Sequence, residues 1–303
     1  MQDNSLFANR VGVIATMHKK EQVIAPLIEQ ELKIKTLVPT NFDTDAFGTF
    51  TREIKRAGDQ LEAARRKVKQ ALAITGETLG FASEGTFSPH PAFSYVPCNR
   101  EIVILLDQAN DLEIVGQEFS LETNYSHKVI DTVEEAYDFA IKIGFPEHGL
   151  VVMTDPYSED GGEIIKGITQ EKELVETIKY ALSQASSGKV HIETDMRAMY
   201  NPTRMKNIEK ATRDLIKKLN QLCPQCSFPG FEVVERRKGL PCILCNLPTK
   251  LTLAEIYKCK RCGFNQEVLF PNGIEKADPS QCIYCNPWAT HNSSERKRGD
   301  SWL

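Results

Sequence analysis

Eight cysteines in the last third of the chain form four Cys-x-x-Cys pairs, and no other residues in the sequence are so clearly suited to one kind of chemistry. Successive pairs are separated by 15, 13 and 19 residues. A Cys-x-x-Cys turn presents two thiolates to one metal ion, so two turns complete a tetrahedral zinc site and four turns predict two sites. The predicted ligands are Cys223 and Cys226, Cys242 and Cys245, Cys259 and Cys262, and Cys282 and Cys285.

Two ways of combining these turns fit the sequence. Consecutive turns can share an ion, or the two inner turns can form one site and the two outer turns the other. An all-cysteine site has no open coordination position, so we expect both zinc ions to be structural. A redox dithiol would explain one pair but not four at ribbon spacing. The ninth cysteine, Cys98, has no neighbouring histidine and is predicted to be a packed core residue.

A polar segment after the first predicted strand is a candidate phosphate site. It runs Ala15-Thr16-Met17-His18-Lys19-Lys20 and opens a predicted helix. The free N–H groups of a helix start and the two lysines favour a bound phosphate. The alternative is a solvated turn, because the segment lacks the glycines of a Walker loop.

A second polar segment, Ser83 to Pro91, follows the strand predicted at Leu79–Ala82. Glu84 is suited to ligating magnesium, while Gly85 lets a substrate approach the backbone. His90 stands between two prolines and is suited to acid–base catalysis. We therefore expect this segment to contribute to an active site.

Further charged residues lie upstream of that segment. Asp43 and Asp45 add two carboxylates. The following helix has a cationic face that is expected to point outward, either towards phosphates or simply into solvent. This face is formed by Arg65, Arg66, Lys67 and Lys69.

The third polar segment surrounds the last strand predicted before the cysteines. On a strand, Glu193, Asp195 and Arg197 share one face, and Arg204 follows in the first turn of the next helix. These charges either bind a metal and an anion or neutralise one another as a structural ion-pair network. The sequence leaves both interpretations open.

The scaffold that must position these residues is predicted to be α/β. Between residues 11 and 200, short apolar runs alternate with amphipathic stretches, which indicates a mixed twisted sheet with flanking helices. Thr132 with Glu135 forms a capping box, and Asn201 caps a helix with Pro202 in its first turn. The predicted strands are Val11–Ala15, Ile34–Val38, Leu79–Ala82, Glu101–Leu106, Leu112–Phe119, Gly149–Thr154 and Val190–Thr194.

The domain organisation follows from these patterns. We predict an α/β domain at 1–200, a connecting helix at 201–222, a double zinc-ribbon module at 223–290 and a flexible tail at 291–303. The ribbon strands are expected at Phe231–Glu235, Leu251–Tyr257 and Gln266–Phe270. A module so poor in large apolar residues needs its metal to fold.

Composition limits the classes of function. The chain of 303 residues has 37 basic and 41 acidic side chains, a net charge of −4, so binding of nucleic acid would have to be local. No apolar run has the length of a membrane span, and the first ten residues do not resemble a signal peptide. The clustered thiols are typical of a reducing compartment, so a cytoplasmic location is expected.

The motifs together resemble a family. The segment Ser83 to Pro91, the run Glu193-Thr194-Asp195-Met196-Arg197-Ala198, and cysteine pairs ending in Cys285-Asn286-Pro287 are similar to an uncharacterised bacterial family that is common in cyanobacteria. That resemblance covers nearly the whole chain and implies no activity.

Residues 11 to about 155 are also similar to the inosine/xanthosine triphosphate pyrophosphatase fold. The similarity rests on Ala15-Thr16 with Lys19 or Lys20, on Ala63-Ala64-Arg65, and on Glu84-Gly85. It implies a phosphate-binding turn, a basic helix and a magnesium ligand at these places.

Two functional hypotheses result. The first is a magnesium-dependent hydrolase of a phosphorylated small molecule or nucleotide. The residues assigned to catalysis are Glu84, His90, Asp43 and Asp45, and those assigned to substrate binding are Thr16, Lys19, Lys20, Ser83, Gly85, Thr86, Arg197 and Arg204.

The alternative is a non-enzymatic adaptor whose zinc ribbons bind protein or nucleic acid. Its contacts would come from Arg236, Arg237, Lys238, Lys258, Lys260 and Arg261, with Tyr257, Phe264 and Trp288 available for stacking.

Overall fold

The computed structural model describes residues 6–40, 42, 58–154 and 162–287. Asp43, Asp45, Trp288 and the tail predicted at 291–303 lie outside this part of the chain. The chain divides into two compact units, residues 1–216 and 217–303. The predicted fold class, α/β followed by two cysteine-built ribbon modules, is confirmed.

The first sheet of the N-terminal unit has five strands in the order β2-β1-β3-β4-β5. Strand β1 is parallel to both of its neighbours, whereas β3, β4 and β5 form an antiparallel meander. The strands are β1 Val11–Ala15, β2 Lys35–Leu37, β3 Leu79–Pro89, β4 Pro97–Asp107 and β5 Leu112–Ser120.

Strand β3 is longer than its sequence pattern predicted. We predicted its end at Ala82, yet the strand continues to Pro89 because β4 pairs with it along its whole length. Strand β1 stops where Ala15 pairs with Ala82, so within the described residues one edge of β3 has no strand partner from Ser83 onward. The second polar segment therefore lies on a strand beside the end of β1.

Helices α1 (Glu21–Leu32) and α2 (Gln60–Thr75) connect the parallel strands of this sheet. The buried side of α2 packs with Ala82, Ile102 and Ile104 in one apolar cluster. Because side chains alternate along a strand, Ser83 and Gly85 point to the opposite face of the sheet from Ala82.

A second sheet has four antiparallel strands in the order β6-β9-β7-β8. Helices α3 (Val133–Ile143) and α4 (Glu171–Gln184) pack on it around a separate apolar cluster. Thr132 caps α3 as predicted, its hydroxyl accepting a hydrogen bond from Glu135 N at 3.2 Å. The strands are β6 His127–Ile130, β7 Leu150–Met153, β8 Ile164–Ile168 and β9 Val190–Thr194.

The two strands that the sequence did not predict are β6 and β8. They are the edge strands of the second sheet, each has four or five residues, and each contains a lysine. Edge strands of natural sheets are commonly short and charged, which weakens their apolar signal in the sequence.

Helix α5 (Pro202–Leu219) follows the second sheet and begins as predicted, with Asn201 Oδ1 accepting a hydrogen bond from Arg204 N at 2.9 Å. It approaches β5 at Gly116. A side chain at Gly116 would overlap the carbonyl oxygen of Ala211 and lie 2.6 Å from Leu215 Cβ. Glycine is thus required for α5 to rest on the sheet.

Replacing Gly116 with alanine is therefore expected to destabilise the N-terminal unit. The added methyl group would contact the backbone of α5, which cannot move aside as a flexible side chain can. The free energy of unfolding is therefore expected to fall by about 1–3 kcal/mol or more. Urea unfolding of the wild-type and Gly116→Ala proteins measures it. Equal unfolding midpoints would show that α5 does not pack closely against β5 at Gly116.

The C-terminal unit contains a three-stranded antiparallel ribbon in the order β10-β11-β12. Its strands are β10 Glu232–Lys238, β11 Thr252–Lys258 and β12 Asn265–Leu269, close to the predicted positions. The cysteine turns lie between and beyond these strands.

Candidate functional site

Residues from all three polar segments meet at the carboxyl end of β1. The turn after β1 passes through Lys19, which has a φ of 58° and remains exposed, while Lys20 is buried. Lys20 Nζ donates a hydrogen bond to the carbonyl oxygen of Ser83 at 3.0 Å. The first segment is thus joined to the second.

Two ion pairs lie on opposite faces of the sheet beside this lysine. Glu84 forms an ion pair with Lys67 of α2, and both side chains are almost fully buried. Glu101 of β4 accepts a hydrogen bond from Arg204 Nε at 2.9 Å, and neither side chain reaches solvent.

Gly85 makes room for the second pair. A Cβ atom at this position would overlap Glu101 Oε1 and lie 2.6 Å from a terminal guanidinium nitrogen of Arg204. The guanidinium carbon of Arg204 also lies 5.4 Å from the ring centroid of Phe87. The glycine of the second segment therefore accommodates an arginine of the third.

Two asparagines extend this network. Asn99 Nδ2 donates to Glu101 Oε1 at 3.0 Å, and Asn207 Nδ2 donates to Asn99 Oδ1 at 2.9 Å. Among the described residues, Ser83 Oγ and Glu101 Oε2 are buried without a hydrogen-bond partner. Buried polar atoms of this kind normally bond to water or a ligand.

The other charges of the third segment also form ion pairs. Asp195 pairs with Arg197 at 2.6 Å and accepts a hydrogen bond from Gly167 N at 3.1 Å. Glu193 instead contacts His191, with 3.2 Å between Oε2 and Nε2. These contacts match the internal ion-pair interpretation more closely than a preformed metal site.

The cluster nevertheless places several cations close to one histidine. Burial, followed by the charges of Lys20, Arg204, Arg197 and Lys67, lowers the pKa of His18 to about 3, so this imidazole is neutral. Within the described residues, the carboxylates that pair with these cations are Glu84, Glu101 and Asp195.

The pKa of Lys20 is lowered as well. Burial and then the charge of Arg204 lower the pKa of Lys20 to about 7, although Glu84 and Glu101 act in the opposite direction. Within the described part of the chain, no carboxylate lies within salt-bridge distance of Lys20. A bound anion would supply the missing counter-charge.

An open pocket of about 430 Å³ adjoins the turn after β1. Thr16 and Lys19 contribute to its polar side, and Met17 and Phe42 contribute to its apolar side. Its volume falls within the range of small-molecule sites, about 300–1,000 Å³. The pocket residues Thr16, Lys19 and Glu21 and the buried Lys20 thus lie on one short stretch of chain.

His90 does not join this cluster. It follows β3 six residues after Glu84, a separation of about 20 Å along an extended strand. Its Nδ1 accepts a hydrogen bond from Ala92 N at 3.1 Å, and its ring stacks on Phe93 with 5.3 Å between centroids. Thr86 is half-buried on β3.

Lys67 was predicted to point outward, and this was wrong. It is buried because it shares a helical stripe with Ala63 and Ala71, at spacings of four residues. Arg65 does reach the surface, where it pairs with Glu113 at 2.7 Å.

The sequence analysis also missed Glu101, Asn99 and Asn207. The available signal was a glutamate directly before the apolar run Ile102–Leu106, where a buried carboxylate requires a partner. The partner, Arg204, is 103 residues distant in sequence.

The eight paired cysteines form two tetrads that can each hold a metal ion. Within each tetrad the ligand atoms lie within 4.8 Å of one another. The first tetrad is Cys223, Cys226, Cys259 and Cys262, and the second is Cys242, Cys245, Cys282 and Cys285.

This pairing is interleaved, so both predicted combinations of turns were wrong. Glu232 pairs with Lys258 in the ribbon, which brings the turn after β11 beside the turn before β10. A bridge between Cys242 and Ala277 similarly brings the last turn to the second one. The antiparallel ribbon therefore dictates which turns meet.

The sulfur positions suit a tetrahedral thiolate site. Sulfur separations are 3.7 Å for Cys223 and Cys262, 3.6 Å for Cys226 and Cys259, 3.9 Å for Cys242 and Cys285, and 3.7 Å for Cys245 and Cys282. Two thiolates bonded at about 2.3 Å to one tetrahedral zinc would lie about 3.8 Å apart.

Local hydrogen bonds prepare some of these thiols for deprotonation. The backbone N–H of Cys245, with that of Leu244, lowers the pKa of Cys242 to about 7. Hydrogen bonding to Cys245 and burial raise the pKa of Cys285 to about 12. In the absence of metal the tetrad therefore retains protons, which a bound cation would displace.

The arrangement defines an α/β protein with a carboxyl-terminal unit built on two cysteine tetrads. The chain belongs to the family described as a domain of unknown function, DUF6671, whose match covers residues 67–287 and so includes both tetrads. No curated protein matches the chain. Among the described residues, no helix combines the length and apolar character needed to cross a membrane.

Proposed function

We propose that the N-terminal unit is an enzyme that acts on a phosphorylated small molecule bound at the carboxyl end of β1. One observation carries the proposal: the buried ammonium group of Lys20 lies near a neutral His18 and, within the described residues, has no carboxylate within salt-bridge distance. A phosphoryl group would supply this counter-charge in surroundings that exclude water.

Three residues would bind the phosphoryl group. Lys19, at the pocket, attracts the substrate, and Lys20 contacts the phosphoryl oxygens. Ser83 Oγ, which has no partner among the described residues, donates a further hydrogen bond. Fixed positive charges of this kind stabilise charge that spreads over the phosphoryl oxygens during transfer.

A magnesium ion would require carboxylate ligands at this site. Glu84 is the single assigned magnesium ligand within the described residues, and its carboxylate already bonds to Lys67. The carboxylates described here therefore do not fit a magnesium site, and no step is assigned to that ion.

Turnover is expected to depend on Lys67 but not on Lys69, two residues further along the same helix. Lys67→Met removes a buried cation, so turnover of a responsive substrate should fall about 100-fold or more. Lys69→Met changes an exposed lysine on the same helix and is the matched control. A panel of nucleotides and sugar phosphates, assayed by phosphate release with and without Mg²⁺, provides the measurement.

Two outcomes of that panel count against the proposal. Neither binding nor turnover of any compound would contradict it, and so would equal activity in the Lys67 and Lys69 variants.

Anion binding is also expected to strengthen as pH falls towards 7. The pKa of Lys20 is about 7 in the free protein, and a neighbouring dianion raises it, so binding takes up a proton above pH 7. Affinity should increase by up to about tenfold per pH unit from pH 9 to 7 and then level off.

Sulfate is the suitable probe because its charge is constant over this range. Calorimetric titration of wild type and Lys20→Met measures the effect, and the variant should lose the slope. A pH-independent affinity in the wild type would show that Lys20 does not contact the anion.

We further propose that both tetrads hold zinc in a structural role. Four thiolates at tetrahedral separations suit zinc and leave no position for a substrate. Metal-bound thiolates also persist in a reducing compartment, which supports a cytoplasmic location.

A further inference from the structure

The two tetrads differ in the residues that stand between their cysteines. In the first tetrad these are Pro224 and Gln225 in one turn and Lys260 and Arg261 in the other. In the second tetrad they are Ile243 and Leu244 in one turn and Ile283 and Tyr284 in the other. Only the second tetrad therefore carries mainly apolar side chains at its turns.

These apolar side chains are exposed. Ile243 is 65 % exposed, Leu244 71 % and Tyr284 58 %. Leu247, 42 % exposed, adjoins them because Cys242 N donates a hydrogen bond to its carbonyl oxygen at 2.9 Å. We call Ile243, Leu244, Leu247 and Tyr284 the knuckle patch.

The tetrad itself assembles the knuckle patch. The sulfurs of Cys245 and Cys282 are 3.7 Å apart, so the turn that carries Ile243 and Leu244 lies beside the turn that carries Tyr284. Hydrogen bonds from Leu244 N to Cys242 Sγ and from Asn246 N to Cys242 O fix the first turn. A rigid apolar surface loses little entropy on binding and is typical of an interaction site.

The surroundings favour a protein over a nucleic acid. Arg236 is paired with Glu255 and Arg237 with Glu267, so these cations already have carboxylate partners. Lys260 is similarly paired with Glu232.

The two rings expected to stack on bases that lie within the described residues are also engaged. Tyr257 and Phe264 lie 5.6 and 5.9 Å from the buried ring of Phe231. An oligonucleotide would therefore find few of the contacts that single-strand binding requires.

The size of the patch indicates what kind of protein segment would fit. Four partly exposed side chains offer well under the roughly 800 Å² that each partner buries in a standard stable interface. A second copy of the chain is thus a poor match, whereas the apolar stripe of one amphipathic helix has about the right area.

Charge specifies the segment further. Lys276 Nζ donates a hydrogen bond to Asn246 Oδ1 at 2.8 Å, which places a cation beside the turn that carries Ile243 and Leu244. Residues 217–287 also contain ten basic and six acidic side chains, in a chain whose net charge is −4. We propose that the knuckle patch binds an amphipathic helix of another protein, with leucine-like side chains on the patch and acidic residues on its flanks. This inference does not depend on the proposed enzyme activity of the N-terminal unit.

The test uses the full chain with metal bound and two synthetic helical peptides. One peptide has leucines on one face and glutamates on the other, and the second has lysines in place of the glutamates. Fluorescence anisotropy should detect saturable binding of the acidic peptide and about tenfold weaker binding of the basic one.

Two substitutions distinguish specific binding at the knuckle patch from nonspecific binding to exposed apolar residues. Leu244→Asp should weaken binding of the acidic peptide about tenfold or more. Val234→Asp, which changes another exposed aliphatic residue of the same unit at 51 % exposure, should leave it unchanged. Zinc content confirms that both variants keep their tetrads.

Three results with the peptides would overturn the inference: no saturable binding of the acidic peptide, preference for the basic peptide, or an equal loss of affinity in the two variants. Saturable binding of oligo-dT that Leu244→Asp abolishes would also overturn it, because the patch would then bind nucleic acid. Dimerisation of the chain that Leu244→Asp abolishes would show that a second copy occupies the patch.

Discussion

Replacing Cys223 and Cys259 together with serine is expected to leave one zinc ion per chain, whereas replacing Cys223 and Cys242 together should leave none. The first pair of cysteines belongs to one tetrad, and the second pair is divided between the two. Consecutive and nested combinations of turns would both place Cys223 and Cys259 in different sites. Zinc content measured on purified protein therefore distinguishes the interleaved arrangement from both alternatives.

The loss of both ions should unfold the C-terminal unit. Structural zinc contributes about 10–16 kcal/mol of apparent binding free energy, which is comparable to the whole stability of a typical domain, about 5–15 kcal/mol. Hydrogen exchange should show residues 217–287 fully unprotected in the Cys223→Ser, Cys242→Ser protein. The sheets of the N-terminal unit should keep their protection.

The ninth cysteine supplies the matched control. Cys98 is buried on β4 and belongs to neither tetrad. Cys98→Ala should retain two zinc ions. A wild-type protein that contained no metal, or a C-terminal unit that stayed protected after chelation, would contradict the metal assignment.

The second large effect is expected at Arg204, whose side chain is fully buried against Glu101. Arg204→Met leaves the carboxylate of Glu101 buried beside an apolar side chain. Breaking one partner of a buried ion pair costs about 3–5 kcal/mol. Chemical denaturation followed by circular dichroism measures this loss.

Arg213 on the same helix is the control. It pairs with Glu209 one turn away and has a side chain that is 61 % exposed, so Arg213→Met should cost less than about 1 kcal/mol. The double variant Glu101→Gln, Arg204→Met should recover part of the loss because the uncompensated charge is gone. Equal effects at the two arginines would show that the Arg204 pair is not buried in solution.

Much of the secondary structure was accessible from the sequence because it depends on local patterns. Thr132 and Asn201 mark helix starts through their own hydroxyl and amide groups, and both caps are present. The central strands of each sheet have strong apolar runs, whereas β6 and β8 at the edges do not. The continuation of β3 to Pro89 depended on pairing with β4, which a single segment does not reveal.

At the candidate site, too, local features were predictable from the sequence and long-range contacts were not. The polar segments themselves were evident as dense groups of charged and small residues. Their mutual contacts were not, since Lys20 meets Ser83 across 63 residues and Arg204 meets Glu101 across 103. The burial of Lys67 follows from the position of α2 over the sheet, although its spacing from Ala63 and Ala71 was a usable signal.

The cysteine spacing alone predicted two cysteine tetrads that can hold metal, because ligand type and the Cys-x-x-Cys turn are local properties. Tertiary structure decided which turns meet in one tetrad, since the antiparallel ribbon brings the third turn to the first. It also decided which charged residues of the N-terminal unit pair with one another, such as Glu101 with Arg204 and Glu84 with Lys67, because ion pairs depend on distances in space and not along the chain.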